Sequence, residues 1–283
     1  MAFRRALPVL ALALPATAAP VKFFVAPYFT GIFYSGSDVK DTGANFALYG
    51  SASINYGEHV VEGLYGYTRI KFKGNASNWN ENDYAVAYTG YGLYPLYFRL
   101  GAYYIATDND HYSDGGKVFF GDVGLVQKFK YDFGTFVSYS DYRRGVAALQ
   151  LRPHAGFYRW KDFYSGFYFG ADLTYINVKN PQNIGITKKN YYSAGASVTY
   201  FTGYYSITAS GWVGERTLMV DKGGFVVYNL EEKYKGGVAL EGKLFYKKNL
   251  TFGLSAGYQL YKEISTKNDV GVFSITASIG YSF

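Results

Sequence analysis

The chain ends FSITASIGYSF, residues 273–283, and every second residue there is apolar or aromatic: Phe273, Ile275, Ala277, Ile279, Tyr281 and Phe283. Ser274, Thr276, Ser278, Gly280 and Ser282 stand between them. A period of two marks a β-strand with one apolar and one polar face, because successive side chains of an extended chain point to opposite sides. Chain ends fray unless something holds them. A strand running to the last residue therefore calls for partners on both edges, which only a closed sheet gives every strand.

The same pattern recurs along the chain with almost no helical period between. Fourteen segments read as strands: 22–35, 43–56, 59–72, 83–94, 96–107, 118–129, 133–140, 145–159, 163–178, 191–201, 204–217, 233–246, 250–262 and 271–283. In NFALYGSASINY the apolar or small set is Phe46, Leu48, Gly50, Ala52, Ile54 and Tyr56, and in LTFGLSAGYQLY it is Leu250, Phe252, Leu254, Ala256, Tyr258 and Leu260. The connections alternate in length. Those at 57–58, 95, 130–132, 160–162, 202–203 and 247–249 are tight, whereas most of those between them, such as 73–82, 108–117, 179–190 and 218–232, are longer and polar. Residues 218–228 read as a hairpin tip projecting above the sheet. As the longest loop, 218–232 is also the one to fold inward as a gate. Only the short connection at 141–144 departs from the alternation.

Composition narrows the class. One residue in five is aromatic, with 32 Tyr, 23 Phe and 34 Gly, which fits neither disorder nor a helical bundle. The first residues, MAFRRALPVLALALPATAAP, combine Arg4 and Arg5, an apolar run from Ala6 to Leu14, and the small-x-small pattern Ala16-Thr17-Ala18. That is the form of a secretory signal peptide over 1–18, which leaves 19–283 as one exported domain. After residue 20 no apolar run reaches eighteen residues, so no transmembrane helix is expected. There is no cysteine, so the exported chain holds itself without disulfides. The net charge of +7 is dispersed over loops and turns, which argues against nucleic-acid binding and suits contact with anionic lipid headgroups.

Soluble sandwiches share the period of two, and three features separate this chain from them. Large aromatics crowd the strand ends beside the tight turns, among them Tyr56, Tyr94, Tyr97, Phe129, Trp160, Tyr204 and Tyr246, as in a girdle at a membrane interface. The polar faces are rich in Gly, Ser, Thr, Ala and Asn, which suits a wet interior better than a dry core. In hydrocarbon every backbone N–H and C=O must be paired, so the last strand must zip to the first. The expectation is an all-β fold, a transmembrane antiparallel up-and-down β-barrel of about fourteen strands. Twelve is allowed because 133–140 is weak, and sixteen if 218–228 supplies two more. Pro27 and Pro153 fall inside strands of a sheet without free edges, so bulges or bends are expected there.

Phe283, with Tyr281, Ile279, Ala277 and Ile275 at alternate positions before it, resembles the C-terminal signature of Gram-negative outer-membrane β-barrels. That resemblance implies a bacterial outer-membrane location and recognition of those five residues by the barrel assembly machinery, with periplasmic chaperones on the way and lipopolysaccharide and the bilayer as surroundings. In length and loop layout the chain is similar to small monomeric porins, which implies a monomer or small homo-oligomer and no cofactor.

With apolar faces turned to lipid, the charged and polar residues left for the lumen are Glu62, Arg99, Asp122, Lys128, Gln150, Arg152, His154, Asp172, Lys235, Glu241, Lys243 and Gln259. Two readings compete: the charges pair into a network that stiffens the wall, or Arg99, Arg152, Lys235 and Lys243 face Glu62, Asp122, Asp172 and Glu241 to set a transverse field that filters solutes. The second makes Arg152→Glu shift selectivity toward cations. About fourteen strands enclose more space than wall side chains fill, so water, a loop or a plug must occupy it. A porin-like channel for small hydrophilic solutes or ions is the leading function, and a non-conducting structural or surface-interaction barrel the alternative. The acidic stretch DNDHYSDGG, 108–116, holds His111 among Asp108, Asp110 and Asp114 and is where a membrane-embedded hydrolase would keep its histidine. Its spacing departs from a calcium-binding EF-hand loop, and a solvated acidic loop is the plainer reading. The NAS sequon at 75–77 carries little meaning in a bacterial chain.

Overall fold

The computed structural model describes residues 20–74, 77–108, 111–247 and 249–283; residues 1–18, expected from sequence to be a signal peptide, lie outside the described residues. Fourteen antiparallel strands close into a barrel. In chain order they are β1 (Val21–Ser35), β2 (Lys40–Ile54), β3 (His59–Phe72), β4 (Trp79–Gly90), β5 (Leu96–Thr107), β6 (Lys117–Gln127), β7 (Tyr131–Asp141), β8 (Ala147–Trp160), β9 (Gly166–Lys179), β10 (Asn190–Phe201), β11 (Tyr205–Arg216), β14 (Glu232–Tyr246), β15 (Leu250–Glu263) and β16 (Asp269–Ser282). The two-residue strands β12 (Val220–Asp221) and β13 (Val226–Val227) form a separate small ladder between β11 and β14. Each barrel strand pairs with its chain neighbour, and β1 pairs with β16.

Closure explains the aromatic end. β1 and β16 pair from Phe24 and Ser282 up to Ser35 and Gly271. Below that register the Phe23 N–H donates to the Phe283 carbonyl at 2.9 Å, and the Phe283 N–H donates back at 3.0 Å. The Phe23 and Phe283 rings stack with centroids 5.6 Å apart. The last residue is the last rung of the ladder that shuts the sheet.

Alternation then sorts the side chains. Phe29, Leu48, Val86, Leu100, Val123, Leu173, Val213, Leu240 and Ile279 are exposed on the outer wall. Exposed apolar area of that extent has no place in water and belongs against lipid. Aromatics ring this band at the turn end (Phe129, Tyr131, Phe163, Tyr204, Tyr246, Phe283) and again toward the loop end, where Tyr65 donates to Asn82 Oδ1 at 2.9 Å and Tyr67 to Asn80 Oδ1 at 3.0 Å. Phe273 and Phe283 sit on the outer face of β16. Ten residues at about 3.3 Å each, tilted by about 40°, span roughly 25 Å, the height of a lipid-facing band. Tyr97, expected in the girdle, instead turns inward, its hydroxyl 3.3 Å from Asp122.

Neither strand proline makes a bulge. The β1–β2 register is constant through Pro27 and the β7–β8 register through Pro153. On the other edges, β1–β16 and β8–β9 skip the proline and one neighbour and resume in the same register. A closed barrel thus accommodates a missing donor by losing a rung rather than by inserting a residue. The register shifts lie elsewhere, all toward the long-loop end: Lys40/Thr42, Val213/Arg216 and Tyr234/Gly236. Phe29 and its neighbour Thr30, halfway along β1, test the sidedness. Phe29→Arg should cost about 2–4 kcal/mol, the penalty of a midplane charge on the lipid face, while Thr30→Arg should cost less than about 1 kcal/mol. Urea unfolding in liposomes measures both; equal costs would contradict this orientation.

Candidate functional site: a lumen half filled by an inserted loop

The inward faces differ around the circumference. On β5 to β9 they carry Ile105, Val118, Phe120, Phe136, Ile176 and Val178, all buried. On β1, β2, β15 and β16 they carry Thr30, Asn45, Ser255, Ser274, Thr276 and Ser278, which line an unfilled cavity of about 620 Å³. Of the occupants the sequence allows, water, a loop or a plug, one side of the lumen therefore has no room for water.

What covers the apolar side is residues 217–231, which do not project above the membrane but fold into the barrel. Leu218, Met219 and Val220 are buried against the apolar cluster, each worth roughly 1.5–3 kcal/mol relative to water. Gln150 holds Val220 at both backbone groups, donating to its carbonyl at 2.9 Å and accepting from its N–H at 2.8 Å. Arg152 pairs with Asp221 at 2.8 Å, and Arg99 Nε donates to the Gly223 carbonyl at 2.9 Å. At the tip, Gly223 and Gly224 have φ of 64° and 102°, and a Cβ on Gly224 would stand 2.3 Å from the Phe120 ring. Only glycine brings the tip so close to the wall. Phe225 meets Phe120 and Tyr49 edge-on, at 6.3 and 5.9 Å.

Ends of the loop are anchored as well. Arg216 lies over Trp212 at 4.0 Å and donates to Ser193 Oγ at 2.6 Å. The Tyr112 hydroxyl donates to the Asn229 carbonyl at 2.6 Å, and the Asn229 side chain donates to Glu81. Around these contacts the outer loops pack together. Lys40 pairs with Glu232, Ser37 Oγ donates to Glu263 at 2.8 Å, and Trp79 stands edge-on to His111 at 4.4 Å.

Most of the sequence-selected lumen residues serve the loop or one another. Glu62 pairs with Arg99, His154 lies 3.1 Å from Asp122, and Asp172 lies 3.7 Å from Arg216. Gln150, selected as pore-lining, is fully buried and acts as a loop clamp. Arg152 is spent on Asp221, so its replacement would release the loop rather than retune a free charge. Lys235 is a correction of another kind. The register shift beside it moves it to the outer face, where its Nζ meets Asp269 at 2.5 Å at the exposed rim. Of the candidates, Glu241, Lys243 and Gln259 line the cavity, the first two 2.7 Å from each other. Lys222 of the loop tip lines it too and acts electrostatically on Glu241. Loop length marked 218–232 as the segment to fold inward, but Lys222 was not among the lumen residues selected, because that selection drew on strand parity alone; the pair Gly223-Gly224 was the available sign of a tight approach.

Among its described residues, the acidic stretch places His111 beside Ser113 and Glu231 rather than beside Asp108 or Asp114. His111 Nδ1 is 2.8 Å from Ser113 Oγ, and Nε2 is 3.8 Å from Glu231. Ser113 is fully buried, so its hydroxyl cannot meet a substrate. Asp108 accepts from the Asn80 N–H, and Asp114 accepts from Thr107 N and pairs with Arg143; Asp110 lies outside the described residues. No group of three or more metal-ligating side chains occurs among the described residues.

No family model matches the chain, and no curated protein matches its sequence. Among solved structures, a bacterial polysaccharide outer membrane secretin is similar with a TM-score of 0.52 at 8% identity, covering 94% of this chain and 99% of that one. The P. putida toluene transporter TodX is similar with a TM-score of 0.52 at 9% identity, covering 94% and 90%. At such identities the likeness is one of fold alone: a closed antiparallel β-barrel.

Two outcomes follow for the loop. Gln150→Leu strands both polar groups of the Val220 backbone, at about 1–3 kcal/mol. Hydrogen exchange over residues 217–227 should speed roughly five- to hundredfold; unchanged protection would show that the clamp does not hold the loop. Burial, then the charges of Arg144 and Lys40, push the His111 imidazole down to about 4 from 6.5. An opened loop takes up that proton nearer 6.5, so stability present above that pH is lost as pH falls toward 4. Relative to His111→Gln, the native loop should lose exchange protection in that window. Parallel profiles would place the acid sensitivity elsewhere than His111; Glu231, whose burial pushes its carboxyl up, stabilises the closed loop as pH falls and cannot account for it.

Proposed function

We propose that the protein is an outer-membrane channel for passive diffusion of small hydrophilic solutes or ions, narrowed from within by residues 217–231. The observation that carries this reading is the division of the lumen. Apolar side chains and paired charges pack the loop onto one wall, while the opposite wall keeps hydroxyls, an amide and the Glu241 and Lys243 charges around open space, faced by Lys222 of the loop tip. A plug that served stability alone would gain more by filling both sides with apolar contacts. Charges lining a narrow passage bias ion flow through their field, and here the basic members outnumber the acidic one at the loop tip. Outward-facing Arg69, Lys71, Lys117 and Lys179, exposed at the loop ends of their strands, suit anionic lipopolysaccharide groups.

The packed outer loops favour a second reading, a barrel that is closed and structural at rest. Planar-bilayer recording separates the two. Under the channel reading the purified barrel gives stable ohmic steps, and deleting residues 219–227 raises the step several-fold by removing the constriction. Lys243→Glu should move the reversal potential toward cation selectivity. A correctly folded barrel that stays silent, with and without the loop, would favour the structural role.

A further inference from the structure

Within the lumen one pair of charges is left unserved. Glu81 and Asp83 lie two positions apart on β4, so both point inward, and both line the cavity beneath the outer loops. Each is 6% exposed. Asn229 donates to one oxygen of Glu81, and the Tyr103 hydroxyl hydrogen-bonds Asp83. Asp83 Oδ1 is buried without any hydrogen-bond partner. Among the described residues no lysine, arginine or histidine pairs with either carboxyl group, whereas Glu62 pairs with Arg99, Asp122 with His154, Asp221 with Arg152 and Glu241 with Lys243.

Buried carboxylates in proteins are normally paired with positive charge. A bare metal ion would find only these two carboxylates, since no larger ligand cluster occurs among the described residues. Beside the hydroxyl-rich wall, Tyr34, Trp79, Tyr228, Tyr234 and Phe225 line the same cavity. Aromatic faces attract organic cations, and an ammonium carries three N–H donors, enough to reach an oxygen of each carboxylate. Carboxylates i and i+2 on one strand stand about 6.6 Å apart at their Cα atoms, which one ammonium can bridge.

We infer that Glu81 and Asp83 form a subsite for a small organic ammonium ion, its charged head at the two carboxylates and its apolar body against the aromatic lining. The inference rests on the channel reading, because the ligand reaches the subsite through the lumen. It narrows the solutes from hydrophilic molecules in general to amines carrying an apolar or aromatic group.

The test is a titration of the detergent-solubilised barrel with 2-phenylethylammonium, followed by calorimetry and by saturation-transfer NMR. Phenylacetate, with the same ring and the opposite charge, serves as control. The native protein should bind the ammonium at least tenfold more tightly than phenylacetate. Glu81→Gln with Asp83→Asn, which keeps side-chain size, should weaken ammonium binding at least tenfold, and Glu58→Gln, the same change at an exposed tight turn outside the cavity, should leave it in place. If the double variant does not give the compact, heat-modifiable band of a folded barrel, Asp83→Asn alone must show the loss. Unchanged affinity in the carboxamide variant, equal binding of phenylacetate, or displacement of the probe by magnesium chloride alone would overturn the subsite. The titration needs no current. A silent barrel that binds would defeat the channel reading and keep the subsite, and a conducting barrel that does not bind would do the reverse.

Discussion

Hydrocarbon offers no partner to a backbone N–H or C=O, so a sheet that crosses it must satisfy every such group internally. The whole molecule is arranged around that constraint. It forces closure, and closure joins the two chain ends through the reciprocal bonds of Phe23 and Phe283. It forbids a free edge, so Pro27 and Pro153 each cost a rung that the opposite neighbour's unbroken register makes tolerable. It also locks the period of two onto the environment: a slip by one residue would move every lipid-facing side chain into the lumen.

Closure creates the second problem, a space that wall side chains cannot fill. The chain solves it unevenly. One side of the lumen is treated as a core, with Phe120, Phe136, Ile105 and Ile176 packed against Leu218, Met219 and Val220. The loop brings polar backbone into that core, and the wall answers each group: Gln150 for Val220, Arg99 for Gly223, Arg152 for Asp221. The other side remains a hydroxyl-rich passage. Lumen charge thus does two jobs, and the division between them follows the loop. Charges under it are structural; those facing it across the cavity are free to act on what passes.

How much of this was legible beforehand follows from the range of the forces involved. Strands depend on local alternation, and β3 and β5 match the sequence-read segments 59–72 and 96–107 to the residue. Weak as it looked, 133–140 is a full strand, β7, because neighbours on both edges compensate for its own poor pattern. Inward-facing charges on regular strands, such as Arg99 and Asp122, were readable by parity alone. Lys235 was not, because a register shift at Tyr234/Gly236 inverts parity locally and leaves no mark in composition. The role of Gln150 was equally invisible: it depends on where a loop seventy residues later in the chain comes to rest. The isolated pair Glu81 and Asp83 belonged to a segment read partly as loop, 73–82, since β4 begins at Trp79 rather than at residue 83.

The central claim is that one face of every barrel strand meets lipid and the other meets the lumen, which is hydrated along β1, β2, β15 and β16. With no native cysteine in the chain, single cysteines placed one by one through residues 272–279 of β16 can be challenged with a membrane-impermeant thiol reagent in lipid vesicles. The account predicts labelling at 272, 274, 276 and 278 and protection at 273, 275, 277 and 279. Uniform labelling, or the opposite alternation, would contradict it.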